Sequence, residues 1–174
     1  SDRLTFDPES GEVTLGEGQG IDLGGIAKGY TSDRLMALFK EYGLDGGLVS
    51  LGGNVQCMGL KQDGSKWHLG IEDPDQESDR LIGVIEGTDI AVITSGTYER
   101  YFEADGRTWH HILDMSTGYP AESDLISVTI VSPDGMLADA LSTACFVLGL
   151  ERAQAFWRTH SDLFDMVLVT EDHK

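Results

Sequence analysis

The fold is decided in "LISVTIVSPDGMLADALSTACFVLGL", residues 125–150. Its first part, "LISVTIVSP", is rich in β-branched residues and reads as a strand. From Asp134 onward the pattern turns helical and apolar nearly all round, which marks a buried helix. Asp139 and Thr143 break that pattern. Their i, i+4 spacing puts them on one face, one turn apart. A buried carboxylate is costly unless it is paired with a charge or a metal. Carboxylate and hydroxyl together make hard oxygen ligands, suited to Mg²⁺ or Ca²⁺. The competing reading is an Asp hydrogen-bonded near a helix start, with a Thr bonding back to its own backbone.

Upstream, "RLTFDPESGEVTL" reads as two short strands around a Pro/Gly turn. "GGIAKGYTSDRLMALFKEYG", residues 24–43, reads as an amphipathic helix stopped by Gly43. Four β-like runs follow: "GLVSLGG", "NVQCMGL", "KWHLGIED" and "LIGVIEG", with the polar "DPDQESDR", residues 73–80, as a surface loop. "IAVITSG" is a further strand, and "YERYFEADGRTWHHILD" is a hairpin whose Asp105-Gly106 pair suits a tight turn. After the buried helix come a second helix, "ERAQAFWRTH", and a closing strand, "DMVLVTED". Many strands, about three helices and no regular βαβ alternation predict one α+β domain of mixed sheet over residues 1–174.

Of 174 residues, 40% are hydrophobic and 24% charged, the balance of a folded globular chain. Thirty acidic against 12 basic side chains give a net charge of −18, a field that repels nucleic acid and anionic lipid. An anionic ligand would need local help from a cation, a lysine or backbone N–H groups. Cys57 and Cys145 have neither a disulfide-framework count nor zinc spacing, and Cys145 reads as a buried thiol. No stretch is long and apolar enough to span a membrane. The chain starts at Ser1, so the missing signal peptide says nothing of the parent protein's compartment.

Three other stretches carry candidate chemistry. "IDLGGIAKGY", residues 21–30, places a Gly pair before a helix and Lys28 in its first turns. That arrangement favours bound phosphate, or else is a plain loop-to-helix turn with a solvated lysine. It is neither a Walker A nor a dinucleotide motif. "ITSGTYERYF", residues 93–102, offers the Ser95 hydroxyl and the Gly96 N–H at a strand end, or simply turns. In "TWHHILD", residues 108–114, strand alternation puts His110, Ile112 and Asp114 on one face and Trp109, His111 and Leu113 on the other. One histidine can face a pocket as a general base, and not both.

In order and spacing, "DLGGIAKGY" (22–30), "SLGGN" (50–54), "TSGTYERYF" (94–102), "HHILDMSTGYP" (110–120) and "MLADALSTACFVLG" (136–149) resemble the FAD:protein FMN transferase (ApbE) family. The resemblance implies an α+β fold that binds FAD and Mg²⁺. The implied activity moves FMN onto a Ser or Thr hydroxyl of a target flavoprotein and releases AMP. It implies Asp139, Thr143 and the Gly25 carbonyl as metal ligands. Gly24, Gly25, Lys28 and Gly53 would lie against the flavin nucleotide, and Ser95, Gly96 and Tyr98 along the flavin cleft. The catalytic histidine would be His111, with His110 supporting from the other side of the strand. A Mg²⁺-dependent FAD pyrophosphatase and a non-catalytic FAD-binding module are the alternatives. Family members are usually longer, and a segment expected before residue 1 is absent from this sequence. Met115 stands where the family commonly has Pro, a change that removes only turn rigidity. The family mostly works outside the cytoplasm, which implies an extracytoplasmic parent touching a membrane only through a lipid anchor on that missing segment.

Overall fold

The computed structural model describes residues 4–74 and 80–172. In chain order, β1 (Thr5–Phe6) and β2 (Val13–Thr14) form a short hairpin, followed by α1 (Ala27–Glu41). β3 (Gly46–Ser50) and β4 (Asn54–Gly59) pair, as do β5 (Trp67–Glu72) and β6 (Leu81–Gly87). β7 (Ile90–Gly96) precedes the hairpin of β8 (Tyr101–Ala104) and β9 (Arg107–His110). β10 (Leu125–Ser132), α2 (Gly135–Leu148), α3 (Leu150–Arg158) and β11 (Asp165–Thr170) complete the fold. Most of the polar loop expected at residues 73–80 lies outside the described residues.

The α+β class and its three helices are as the sequence predicts. The central sheet, ordered β11-β10-β7-β4-β3, is antiparallel at every pairing rather than mixed. The reason is in the connections. Neighbouring β10 and β11 are joined through two successive helices, so the chain returns antiparallel, whereas a parallel pair needs a single crossover.

Alternation along the strands gives the sheet two apolar faces. Ala91, Ile93, Val128 and Ile130 pack under α2 and α3 with Ala138, Cys145, Phe146 and Ala153. On the reverse face, Cys57 and Val92 meet Leu69 and Ile71 of the β5–β6 ribbon. The result is three layers: helices, sheet and ribbon. Both cysteines are buried and free. Burial pushes the Cys145 thiol up to about 11, which removes it from thiolate chemistry. Among the described residues no helix is long and apolar enough to cross a membrane.

Three boundaries differ from the sequence reading. α1 starts at Ala27, because Gly24 and Gly25 are spent on a turn. A left-handed Gly149 (φ 75°) ends α2 and redirects the chain into α3. β9 stops at His110, so His111 lies just beyond the strand. The Asp105-Gly106 turn has positive φ at both residues, 53° and 71°, as expected for a tight hairpin.

Candidate functional site

The site begins where α1 and α2 touch. A Cβ on Gly29 would collide with the Gly135 carbonyl and come within 2.7 Å of Asp139 Cβ, so only glycine lets the two helices approach this closely. Asp33 of α1 binds the α2 N-terminus: Oδ1 accepts from Gly135 N–H (2.9 Å) and Oδ2 from Met136 N–H (2.8 Å). Gln56 of β4 also donates to Asp33 Oδ1, at 2.8 Å. Asp134 completes the cap through Leu137 N–H at 2.8 Å. Clamped in this way, α2 presents Asp139, 4% exposed, to the first turn of α1. Its Oδ2 accepts the Gly29 N–H at 2.7 Å.

One turn along α2, Thr143 does not bond back to its own helix. Its Oγ1 lies 3.2 Å from Ser95 Oγ, which also meets Ser142 Oγ at 2.8 Å. A Cβ on Gly25 would stand 3.9 Å from Thr143 Oγ1. The turn before α1, the end of β7 and the middle of α2 therefore converge, and the oxygens gathered there are hard ones. Of the two sequence readings of Asp139, the hydrogen-bonded one is seen, although the helix start it serves is that of α1 rather than its own.

Lys28 and the histidine flank this centre. Lys28 Nζ donates to the Gly52 carbonyl at 3.3 Å, tying α1 to the "SLGGN" turn. Gly53 abuts Glu99, whose Oε1 would lie 3.6 Å from a Cβ there. Burial raises the pKa of Glu99, while Lys28, His111 and Arg100 pull it down and Asp139 raises it again. His111 is exposed, and the Arg100 carbonyl holds it twice, through the backbone N–H (3.1 Å) and ring Nδ1 (3.2 Å). A carbonyl only accepts, so the ring bond requires the proton on Nδ1 and leaves Nε2 with a free lone pair.

Gly25, Ser95, Asp139 and Thr143 thus come together, with Lys28 reaching the turn that carries Gly53 and His111 held on Arg100 of the segment after Ser95. Others do not. The Gly24 N–H is already bound by Asp22 Oδ1 at 2.6 Å. Tyr98 folds over Gly96, and its neighbours include Ser127, Glu72 and Asp73. Ser127 alternates in step with Val131, which packs on the ribbon side of the sheet, so Tyr98 points away from the helices. Burial and the carboxylates Glu99 and Glu72 push its phenol up to about 12. His110 is half-buried, edge-on to Phe146 at 5.8 Å between ring centroids, on the core side. A separate open groove of about 580 Å³ between α3 and β11 is lined by Leu150, Trp157, Met166 and Leu168, and it holds none of these residues. The sequence reading missed Glu99 and Arg100. Their signal was a charged pair inside an otherwise aromatic run, "TYERYF".

Residues 1–168 match the model of the ApbE family. The chain is 44% identical over 149 residues to the FAD:protein FMN transferase of Treponema pallidum (strain Nichols), covering 81% of this chain and 41% of that protein. A Klebsiella pneumoniae (strain 342) FAD:protein FMN transferase is 41% identical over 155 residues, covering 89% of this chain and 47% of its own length. In structure, the chain resembles the ApbE protein of Thermotoga maritima, with a TM-score of 0.89 at 40% identity. That likeness covers 99% of this chain and 56% of the Thermotoga protein. The chain spans about half the length of the relatives it matches. In sequence and in architecture alike, this chain belongs to the ApbE family.

Proposed function

We propose that this chain carries the centre for transferring FMN from FAD to a Ser or Thr hydroxyl of a target flavoprotein, with release of AMP. The observation that carries the reading is the meeting of Asp139, Thr143 and the Gly25 turn beside Lys28, with His111 held by the Arg100 carbonyl nearby. The donor set fits Mg²⁺. Among the described residues no cluster of three or more His, Cys, Asp or Glu exists, so a cation here relies on one carboxylate, a hydroxyl and a carbonyl. Mg²⁺ is commonly held by one or two carboxylates plus substrate phosphates. Asp139, Thr143 and the Gly25 carbonyl would hold it, and when bound it supplies positive charge against the pyrophosphate of FAD.

The chain's own residues do the rest. Lys28, anchored on Gly52, adds a second positive charge beside the nucleotide. His111 accepts the acceptor hydroxyl's proton at Nε2, which turns a poor nucleophile into a competent one. The oxygen then attacks the phosphorus on the FMN side, and the bond to the AMP phosphate breaks. Because His111 is exposed, water can take the hydroxyl's place, which supports FAD hydrolysis as a second reading.

The test is incubation of the chain with FAD, Mg²⁺ and a flavoprotein domain carrying an acceptor Ser or Thr. Covalent FMN fluorescence should appear on a denaturing gel, and it should be lost with EDTA or in Asp139→Asn. AMP release without an acceptor would assign hydrolysis instead. Neither product, with a longer active relative as control, would sink both readings for this chain.

A further inference from the structure

The hairpin that leads into His111 carries a surface for which the transfer step has no use. β8 and β9 pair with Phe102 opposite Trp109 and Ala104 opposite Arg107. One step further, the His111 N–H meets the Arg100 carbonyl at 3.1 Å. Alternation therefore puts Arg100, Phe102, Arg107, Trp109 and His111 on one face. Tyr101, Glu103 and His110 take the other, where His110 packs on Phe146, so the first face looks outward. Its rings form a ladder. Phe102 stacks on Trp109, with 6.3 Å between centroids and 9° between planes, and Tyr119 leans on Trp109 at 6.2 Å. Phe102 and Tyr119 are 62% and 63% exposed, and Leu113, beyond His111, is exposed as well.

The charge on this face also differs from that of the chain. Lys and Arg number 12 against 30 acidic residues, yet Arg100, Arg107 and His111 share this one face and all are exposed. The nearby carboxylates are placed elsewhere. Glu103 is on the reverse face, and Asp105 is in the turn. Asp114 accepts from the Ser116 N–H and hydroxyl at 2.8 and 2.7 Å, and Glu99 lies against Gly53. Aromatic rings and arginines are the side chains that protein interfaces favour, and a basic face selects an acidic partner. We propose that this face docks the target flavoprotein, through an acidic segment around its acceptor Ser or Thr. The inference rests on the function proposed above, in which His111 takes the acceptor's proton. An apolar side chain of the segment lies on Phe102 and Trp109, and its carboxylates face Arg100 and Arg107. The hydroxyl is then left at His111, about 7 Å along the chain from Trp109. The net charge of −18 opposes an acidic partner at long range. At 0.15 M salt the Debye length is about 8 Å, so the charges within direct reach of the segment decide.

The first test needs no turnover. Two short labelled peptides carry a central Ser beside Leu, with either Asp or Lys at the same flanking positions. Fluorescence anisotropy follows their binding to the full chain. The Asp peptide should bind, and high NaCl should weaken it. Arg107→Glu should weaken the Asp peptide about fivefold and strengthen the Lys peptide. Arg152→Glu, on α3, makes the same change in net charge and should leave the Asp peptide unaffected. Phe102→Ala should weaken the Asp peptide about fivefold through the lost ring contact. In the transfer reaction, Phe102→Ala and Arg107→Glu should raise KM for the acceptor domain and leave KM for FAD unchanged.

Failure of the Asp peptide to bind, equal losses from Arg107→Glu and Arg152→Glu, or an unmoved affinity in Phe102→Ala would overturn the docking face. A raised KM for FAD in Phe102→Ala would overturn it too, by giving the ladder to the flavin. Sedimentation of a dimer that Phe102→Ala dissociates would give the face to a second copy instead. If the unsubstituted chain yields neither covalent FMN nor AMP, it is the proposed function that fails. The peptide titrations then decide on the docking face by themselves.

Discussion

His110 and His111 are adjacent in the chain, yet one ring packs on Phe146 and the other projects from the Arg100 carbonyl. Strand alternation required them to diverge, and it could not say which direction was the core. Burial lowers the pKa of His110 from 6.5. The unfolded chain therefore takes up this proton first, so the stability it represents is present above about pH 6.5 and is lost as pH falls toward the folded value. Melting curves from pH 7 to 5 should show a drop that is smaller in His110→Leu. Glu99 has the opposite sign. Its pKa is raised from 4.5, so its contribution is present below that value and lost as pH rises through the folded one. Glu99→Gln should therefore melt higher than the unsubstituted chain at neutral pH, in the absence of metal and FAD. An equal or lower melting temperature would contradict this.

At the scale of elements, the α1–α2 seam determines whether the site exists. Residues 24–30 and 136–149 were legible as a Gly-rich helix start and a buried helix with two polar breaks. Nothing local says that Gly29 must lie against Gly135, because that demand comes from a helix more than a hundred residues away. No local motif singles out Asp33, and it is the anchor of α2. Asp33→Ala removes an acceptor from two helix-terminal N–H groups and from Gln56, and should cost about 2 kcal/mol in urea unfolding. Gly29→Ala should cost about 1–3 kcal/mol by forcing the helices apart. If Asp139 holds Mg²⁺ as proposed, the substitution should also weaken that binding, since Asp139 moves with α2. If calorimetry shows full-strength Mg²⁺ binding in Gly29→Ala, the seam does not control the site.

The whole molecule carries a net charge of −18. Between described residues stand the ion pair Lys66–Glu86 at 3.4 Å and the contact His68–Glu86 at 3.2 Å, charged only when His68 is protonated, with side chains more than half exposed. Pairs of this kind contribute little, so the self-repulsion of the acidic surface is largely unopposed. Raising NaCl from low concentration to 1 M screens it, because the Debye length shrinks to about 3 Å. The melting temperature should rise by several degrees. A flat or falling dependence would mean that the acidic side chains are spaced widely enough not to interact. The same field means that an anionic ligand would require local positive charge, of which Lys28 is one source.

By itself the sequence determined most of the elements, the α+β class and the identity of the chemical groups, because periodicity and turn residues act over a few positions. It also singled out Asp139 and Thr143, since polar groups in an apolar helix must be satisfied somewhere. Only the tertiary structure decided where. The Gly29–Asp139 hydrogen bond joins residues 110 apart in the chain, and the Lys28–Gly52 and His111–Arg100 contacts join other separated segments. Which histidine faces the core and why Tyr98 turns to the ribbon side follow from packing between layers, which no local pattern encodes.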